Sequence, residues 1–348
     1  MIFDEELKPL QAQNLERGLD VRVMDRSELI LDIFASRART GEAKVQVELA
    51  QLQYLLPRLS RMWTHLSRIR GGIGLRGPGE TQLETDRRLI NRRIAELRKK
   101  LANISEARAT QRRQRQGEYR VALVGYTNAG KSSVLRALSG GDLFVEDRLF
   151  ATLDSATRRV DLGSGYDALV TDTVGFIRKL PHHLVASFRS TLEEAREADL
   201  IVHVIDVSRT DWEDQRSVVD AVLEDLDLAD RPQFLVFNKV DRITHEEQEV
   251  VRARMHTLDQ TPSAFTSAVR EGGLLALGEA LRARARGQRP HVTVHIPAGA
   301  GALLAAVHRE GEVLEQEEDG NRIRLTARLP KWLLGRLRQE PHVSFAEP

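Results

Sequence analysis

The sequence predicts an α/β protein whose mainly parallel sheet is preceded by a long helical hairpin and followed by a small α+β domain. Three observations predict this fold class. Apolar strand-like runs alternate with helix-like segments through the middle of the chain, which is typical of a parallel sheet. Two series of apolar residues at spacings of three and four come before it, and short strand-like runs follow a linker at Gly287.

The domain boundaries are predicted from these changes of pattern. We expect a partial N-terminal α/β region at 1–40, the hairpin at 41–116, the parallel-sheet domain at 117–287 and the small domain at 288–348. In the small domain we expect strands at 291–296, 312–316 and 322–326, with helices at 300–308 and 330–338. His291 and His295 are interpreted as strand alternation and not as a metal site, because no carboxylate or further histidine nearby completes a ligand set.

The hairpin is predicted from two apolar seams. The first contains Val45, Leu49, Leu52, Leu56, Leu59, Trp63 and Leu66. The second is interrupted once by Arg87 and contains Leu83, Ile90, Ile94, Leu97, Leu101 and Ile104. Two such seams predict two paired helices. The connection from Gly71 to Gly79 is too rich in glycine to be helical, and Pro57 should kink the first helix.

Composition limits the class of protein. The 348 residues include no cysteine, which excludes disulfides, thiolate metal sites and a cysteine nucleophile. No apolar run approaches the roughly 20 residues that a membrane helix needs, and the N-terminus is acidic where a signal peptide is basic. We therefore expect a cytoplasmic protein with no membrane span.

Charge is unevenly distributed along the chain. The net charge is only +1, but residues 58–116 contain sixteen Lys and Arg against five Asp and Glu. A solvated helix face is one explanation. The excess of arginine favours RNA, because like charges on one surface repel unless phosphates neutralise them. The candidate RNA contacts are Arg76, Arg87, Arg88, Arg92 and Arg93.

A complete phosphate-binding motif, G-x-x-x-x-G-K-S, follows the apolar run from Tyr119 to Val124. It consists of Gly125, Tyr126, Thr127, Asn128, Ala129, Gly130, Lys131 and Ser132. In this pattern backbone N–H groups surround phosphates, the lysine neutralises the outer phosphates and the final hydroxyl binds Mg²⁺. The motif predicts a nucleoside triphosphate as ligand.

Two further segments match a γ-phosphate-dependent switch. The first is Phe150, Ala151, Thr152, Leu153 and Asp154, and the second is Asp172, Thr173, Val174 and Gly175. Thr152 can complete the Mg²⁺ shell when the γ-phosphate is present, and Asp172 can hold a water bound to that ion. Gly175 is the candidate γ-phosphate sensor.

Selection for guanine is predicted from two segments after later strands. The first is Asn238, Lys239, Val240 and Asp241, and the second is Ser267, Ala268 and Val269. The Asp241 carboxylate can accept from N1–H and the amine of guanine, whereas adenine presents an acceptor at N1. A backbone N–H of the second segment can bind guanine O6. GTP and GDP are therefore the expected ligands.

The predicted reaction is in-line attack of water on the γ-phosphate. Its candidate catalytic residues are Lys131, Thr152, Asp172 and Gly175, with Ser132 and Thr152 as Mg²⁺ ligands. Phe176 stands where Ras-like enzymes carry a glutamine that orients water, so slow intrinsic turnover is expected. Asn128 can offer an oxygen to a monovalent cation such as K⁺, and a purely turn-forming role is an equal alternative.

The nucleotide motifs, together with Gly-Gly-Ile-Gly-Leu-Arg-Gly-Pro-Gly-Glu-Thr-Gln-Leu-Glu-Thr-Asp-Arg-Arg from Gly71 to Arg88, resemble the HflX family of GTPases. The resemblance implies a GTPase that binds the large ribosomal subunit and its rRNA and splits stalled ribosomes under stress. We also expect a monomer when free. Family members carry a further α/β stretch before the segment equivalent to Met1, so the sequence is expected to be a fragment or a shortened member.

Two other functions remain open at this point. The first is a ribosome-assembly or anti-association factor that uses GTP as a timer. The second is an NTPase that remodels structured RNA. The guanine-selective pair Asn238 and Asp241, and the lack of a second motor-like nucleotide motif, weigh against the second function.

Overall fold

The computed structural model describes residues 1–59, 78–113, 118–140, 156–178, 194–258 and 260–346. These residues form two compact units. The first contains residues 1–59, 78–111 and 174–178, and the second contains the remaining described residues.

The first unit is helical. Its helices are α1 (Pro9–Leu19), α2 (Arg26–Arg37), α3 (Gly41–Leu55) and α4 (Pro78–Arg113). Side-chain caps begin two of them, because Asp25 accepts from the Glu28 N–H and Thr40 accepts from the Ala43 N–H. Its strand content among the described residues is one parallel bridge, between Ile2 and Met24.

Helices α3 and α4 pack along the predicted seams. Val45, Leu49, Ile94 and Leu97 are buried together, with Ile90 and Leu101 against them. Helix α3 ends at Leu55, close to the kink predicted at Pro57, and Leu56–Arg58 forms a 3₁₀ turn. The connection predicted to be non-helical, Gly71 to Gly79, was wrong at its C-terminal end, because α4 begins at Pro78 and includes Gly79. A proline is well tolerated in the first helical turn. The rest of the predicted connection lies outside the described residues.

The second unit contains the mainly parallel sheet that the sequence predicts. Its strands are β1 (Tyr119–Gly125), β2 (Ala156–Gly163), β3 (Tyr166–Asp172), β4 (Leu200–Asp206), β5 (Gln233–Asn238) and β6 (Ser263–Phe265). The strand order is β2-β3-β1-β4-β5-β6, with only β2 antiparallel to its neighbour. The carboxyl ends of β1, β3, β4 and β5 therefore lie along one edge, where ligands bind in such sheets.

Helices cover this sheet. They are α5 (Lys131–Ser139), α6 (Trp212–Asp225), α7 (His245–Leu258) and α8 (Leu275–Gln288). Helices α5 and α8 contribute Leu135 and Leu281 to one core cluster, and α6 and α7 contribute Trp212 and Met255 to another. The strands β1, β4 and β5 are nearly continuous apolar runs because they are buried under helices.

The last part of the second unit is the small α+β domain. It consists of β7 (His291–Pro297), α9 (Gly301–Glu310), β8 (Glu312–Asp319), β9 (Arg322–Arg328), α10 (Lys331–Gln339) and β10 (Ser344–Phe345). The strands form an antiparallel sheet in the order β10-β7-β9-β8. Every predicted element is present within a few residues of its expected bounds, and β10 was not predicted. Across all the described residues, none of the helices combines the length and apolarity needed to cross a bilayer.

Candidate functional site

The phosphate-binding motif joins β1 to α5, and its backbone explains both of its glycines. Gly125 has φ +151°, and a Cβ there would lie 2.3 Å from the carbonyl oxygen of Val204. Gly130 has φ +98°, and a Cβ there would lie 2.3 Å from Nδ2 of Asn238. A side chain at either position would strain the backbone and collide with a neighbouring strand end. The loop thus leads directly into the N-terminus of α5, and the N–H groups at a helix N-terminus favour an anion.

Lys131 is buried beneath this loop. Its ammonium donates to the carbonyl oxygens of Gly125 and Tyr126, each at 3.2 Å. Burial lowers the pKa of Lys131, and the charge of Asp172 partly offsets that effect. The lysine therefore lies beside the loop that the motif assigns to the phosphates.

Ser132 and Asp172 meet at the proposed Mg²⁺ position. The Ser132 hydroxyl donates a 2.6 Å hydrogen bond to Oδ2 of Asp172, which joins the start of α5 to the end of β3. The next residue, Thr173, donates from its hydroxyl to the carbonyl of Leu123 at 2.7 Å. A hydroxyl and a carboxylate are oxygen donors of the kind that Mg²⁺ prefers. These two residues fit the ion.

The predicted base-reading residues also lie together. Asn238 donates from Nδ2 to the carbonyl of Ala129 at 3.0 Å, and its Oδ1 accepts from the N–H of Ala268 at 3.3 Å. Ser267 donates to Oδ1 of Asp241 at 2.6 Å. These bonds link the ends of β5 and β6 to the phosphate loop, so the two guanine segments and the phosphate segment form one site.

Three neighbouring residues have different environments. Val240 begins a 3₁₀ turn that ends at Arg242 and packs against the cluster under β5. Val269 follows Ala268 and is 73% exposed, so it presents an apolar side chain to solvent beside the base-reading residues. Lys239 has φ +67° and donates to the carbonyl of Asn128 at 2.8 Å.

A carboxylate that no motif marks lies beside Lys239. Asp206, the last residue of β4, places Oδ2 2.7 Å from the ammonium of Lys239. Its position could have been suspected from the sequence, because it ends a buried strand beside β1 in a sheet whose carboxyl edge binds ligands. A single Asp after an apolar run is too common to single out without the structure.

The two switch segments are described to different extents. Residues Phe150–Asp154, including Thr152, lie outside the described residues. Val174 and Gly175 belong to the first unit, where Val174 is buried with Ile30, Leu31 and Phe34. Phe176 is also buried, at 3% exposure, and the Arg26 guanidinium donates to the carbonyl of Arg178 at 2.9 Å.

The arginines of α4 differ in their surroundings. Arg87, Arg88 and Arg92 are exposed, and the structure shows no ion pair for them among the residues it describes. Arg93 differs, because its guanidinium binds both carboxylate oxygens of Glu48, at 2.7 and 3.1 Å. Arg76 lies outside the described residues.

The fold and the site together define a P-loop protein that binds guanine nucleotides. Three family models match the chain: "GTP-binding GTPase N-terminal" over residues 1–35, "GTP-binding GTPase Middle Region" over 37–115 and "50S ribosome-binding GTPase" over 120–239.

Curated relatives narrow the class to one family. The chain is 55% identical to GTPase HflX of Flavobacterium psychrophilum over 70% of its length, which spans 59% of that relative. It is 47% identical to GTPase HflX of Alkalihalophilus pseudofirmus over 92% of its length, which spans 75% of that relative. The chain belongs to the HflX family of GTPases.

A solved structure agrees with the fold. The GDP complex of SsGBP matches with a TM-score of 0.51 and 26% identity, covering 82% of this chain and 81% of the other.

Proposed function

We propose that this protein binds the large ribosomal subunit through α4 and splits stalled or idle ribosomes, with GTP hydrolysis to GDP and phosphate ending each cycle. The observation that carries the proposal is the arrangement of α4. Ile94 and Leu97 pack against α3, while Arg87, Arg88 and Arg92 are exposed and no carboxylate neutralises them within the described chain. Phosphate groups of a nucleic acid would neutralise these positive charges and bind to them.

The type of nucleic acid follows from the composition of α4. The long helix carries no aromatic residue between Pro78 and Arg113, so aromatic stacking on single-stranded bases is not available there. Arginine contacts to a backbone read the shape of folded RNA and fix the orientation of the protein. Folded rRNA on the large subunit is a partner of this kind, and it matches the description of the "50S ribosome-binding GTPase" model. Because ribosomes are the proposed partner, we propose that the protein acts in the cytoplasm, and that it is a monomer when free.

The nucleotide site supplies the timing in this proposal. Lys131 and the N–H groups at the start of α5 bind the phosphates, and Asp241 reads guanine. Ser132 would bind Mg²⁺ and Asp172 would hold a water bound to that ion, with Thr152 joining Ser132 as a ligand when the γ-phosphate is present. The ion supplies neutralisation of phosphate charge when it is bound.

The water-orienting group is the part that this chain lacks at the expected position. The side chain of Phe176 has no polar atom and is buried. The missing positioning is supplied by the ribosome in our proposal, which couples turnover to the bound partner.

Asn128 supports two proposals. Its φ of +62° and exposed side chain suit a turn-forming residue, and the same exposed amide oxygen is available to a K⁺ ion. Turnover measured in K⁺ and in Na⁺, for the parent and for Asn128→Gly, separates them. Gly keeps the left-handed backbone, so a turn-forming role predicts no change, and a K⁺ role predicts loss of any K⁺ stimulation.

The competing function is assembly or anti-association, in which GTP times a binding event. Sedimentation of intact ribosomes with the protein and a non-hydrolysable GTP analogue separates the two. Free subunits with protein on the large subunit support splitting. Intact ribosomes that leave the protein unbound, with binding only to subunit precursors, refute splitting and support assembly. RNA unwinding without ribosomes would support an RNA-remodelling NTPase.

A further inference from the structure

Asp206 is held in place from two sides at the carboxyl edge of the parallel sheet. The residue is only 5% exposed. Its Oδ1 accepts from both the N–H and the hydroxyl of Ser208, at 3.1 and 2.6 Å. Its Oδ2 lies 2.7 Å from the ammonium of Lys239. Both carboxylate oxygens are thus engaged, and their directions are set by the turn after β4.

Lys239 connects this carboxylate to the phosphate loop. The same ammonium that pairs with Asp206 donates to the carbonyl of Asn128 at 2.8 Å. Both Lys239 and Asn128 have left-handed backbones, with φ of +67° and +62°. A non-glycine residue adopts that conformation at some cost, and surrounding contacts must hold it there.

The result is a chain of three contacts across three strand ends. Ser208 orients Asp206, Asp206 orients Lys239, and Lys239 bonds the loop that precedes α5. An ammonium with a fixed counter-ion has one preferred position, whereas an uncompensated one would turn toward water.

We propose that Asp206 is a positioning residue of the guanine-nucleotide site, which holds Lys239 against Asn128 and so fixes the phosphate loop relative to the base-reading loop before nucleotide binds. Preorganisation of this kind lowers the cost of ordering the site on binding. The proposal rests on the guanine-nucleotide site and not on the ribosomal part of the proposed function.

A purely structural ion pair is the alternative, and the two roles differ in what they change. A structural pair affects the stability of the nucleotide-free protein, while a positioning pair affects GDP affinity through Lys239. Selection of guanine over xanthine should not change in either case, because Asp241 is untouched.

The test measures GDP affinity and dissociation rate with a fluorescent GDP analogue. The variants are Asp206→Asn, Lys239→Met, the double variant and Ser208→Ala. The matched control is Asp211→Asn, which removes a nearby carboxylate whose partners are Arg209 and Gln215.

We expect Asp206→Asn to weaken GDP binding by at least ~10-fold, mainly through faster dissociation, as for loss of a charge-assisted hydrogen bond. The double variant should bind within about 3-fold of Lys239→Met, because Asp206 acts through that lysine. Ser208→Ala should show a smaller loss, and it keeps the test available if Asp206→Asn does not fold. The control should bind GDP like the parent.

Two results would overturn the proposal. One is parent-like GDP binding by both Asp206→Asn and Ser208→Ala. The other is full additivity in the double variant, which would mean that Asp206 acts independently of Lys239. If the parent itself bound no GDP, the nucleotide site would be wrong, and that result is distinct from both.

Discussion

The hydroxyl of Ser132 lies 2.6 Å from Oδ2 of Asp172, so a helix start and a strand end that are forty residues apart in the chain share one hydrogen bond. Removing the hydroxyl removes a proposed Mg²⁺ ligand. Ser132→Ala should therefore lower GTP turnover by at least ~100-fold. Phosphate release checks this, with Ser133→Ala as the matched control on the next residue. Parent-like turnover in Ser132→Ala would place hydrolysis at another site.

Base selection should change when the guanine-reading carboxylate is replaced. Asp241→Asn exchanges an acceptor for a donor opposite the N2 amine of guanine, and xanthine has a carbonyl at that position. The variant should lose affinity for GTP and gain affinity for xanthosine triphosphate. Competition binding of the two nucleotides measures this, and Asp230→Asn serves as an exposed carboxylate control. A variant that still preferred GTP would remove the assigned role of Asp241.

A buried ion pair supports the helical unit. Arg58 pairs with Asp25 at 3.2 Å, and their side chains are 10% and 2% exposed. Arg58 also lies over the ring of Tyr54, at 3.6 Å. Arg58→Ala leaves a buried carboxylate without this partner, so the free energy of unfolding should fall by about 3–5 kcal/mol.

Chemical denaturation provides the comparison for that pair. Arg22→Ala breaks a surface pair with Glu28, and its effect should stay under about 1 kcal/mol. Equal effects from the two substitutions would show that burial of the Arg58 pair contributes nothing.

Glu312 of the small domain accepts a hydrogen bond from Tyr166, which follows the β2–β3 turn. Hydrogen bonds from Arg286 and from Tyr166, which donates at 2.6 Å, hold the pKa of Glu312 below its ordinary value, although burial opposes them. A carboxyl with a depressed pKa in the folded state stabilises the protein above its unfolded pKa. That contribution is lost as the pH falls through the folded pKa.

Glu312→Gln should therefore be less stable than the parent at neutral pH, and the difference should shrink toward zero in acid. Unfolding free energies at pH 7 and at pH values below about 4 measure it. Glu315→Gln, an exposed carboxyl on the same strand, is the control. A difference that did not depend on pH would assign the effect to packing.

The order of elements and the assembly of the nucleotide site could be predicted from the sequence, because parallel strands bring their carboxyl ends to one edge. Motifs after β1, β3, β5 and β6 had to meet there. The apolar spacing of Val45, Leu49, Ile94 and Leu97 likewise predicted the α3–α4 packing.

Other features depend on contacts between distant residues that no local pattern encodes. Asp206 resembles any Asp after a buried strand until the structure shows Lys239 at 2.7 Å. The pairing of Arg93 with Glu48, across two helices, separates it from Arg87, Arg88 and Arg92 as a candidate RNA contact. Val174 was expected only as part of a switch, and its burial with Phe34 was not predicted.

In the proposed function, the exposed arginines of α4 bind rRNA while the nucleotide site sets the timing. Binding to purified large subunits, measured over a series of salt concentrations with a GTP analogue, tests the role of these arginines. The variants are Arg87, Arg88 and Arg92 replaced together by Ala, and a charge-matched control in which Arg322, Arg336 and Arg338 of the small domain are replaced.

We predict that the α4 variant binds more weakly and that its slope of log affinity against log salt falls by roughly one unit for each phosphate that the variant no longer neutralises. Its intrinsic GTP turnover should match that of the parent, and the control should bind like the parent. If the α4 variant bound the large subunit as tightly as the parent at every salt concentration, these arginines would be only solvated and the account would be contradicted.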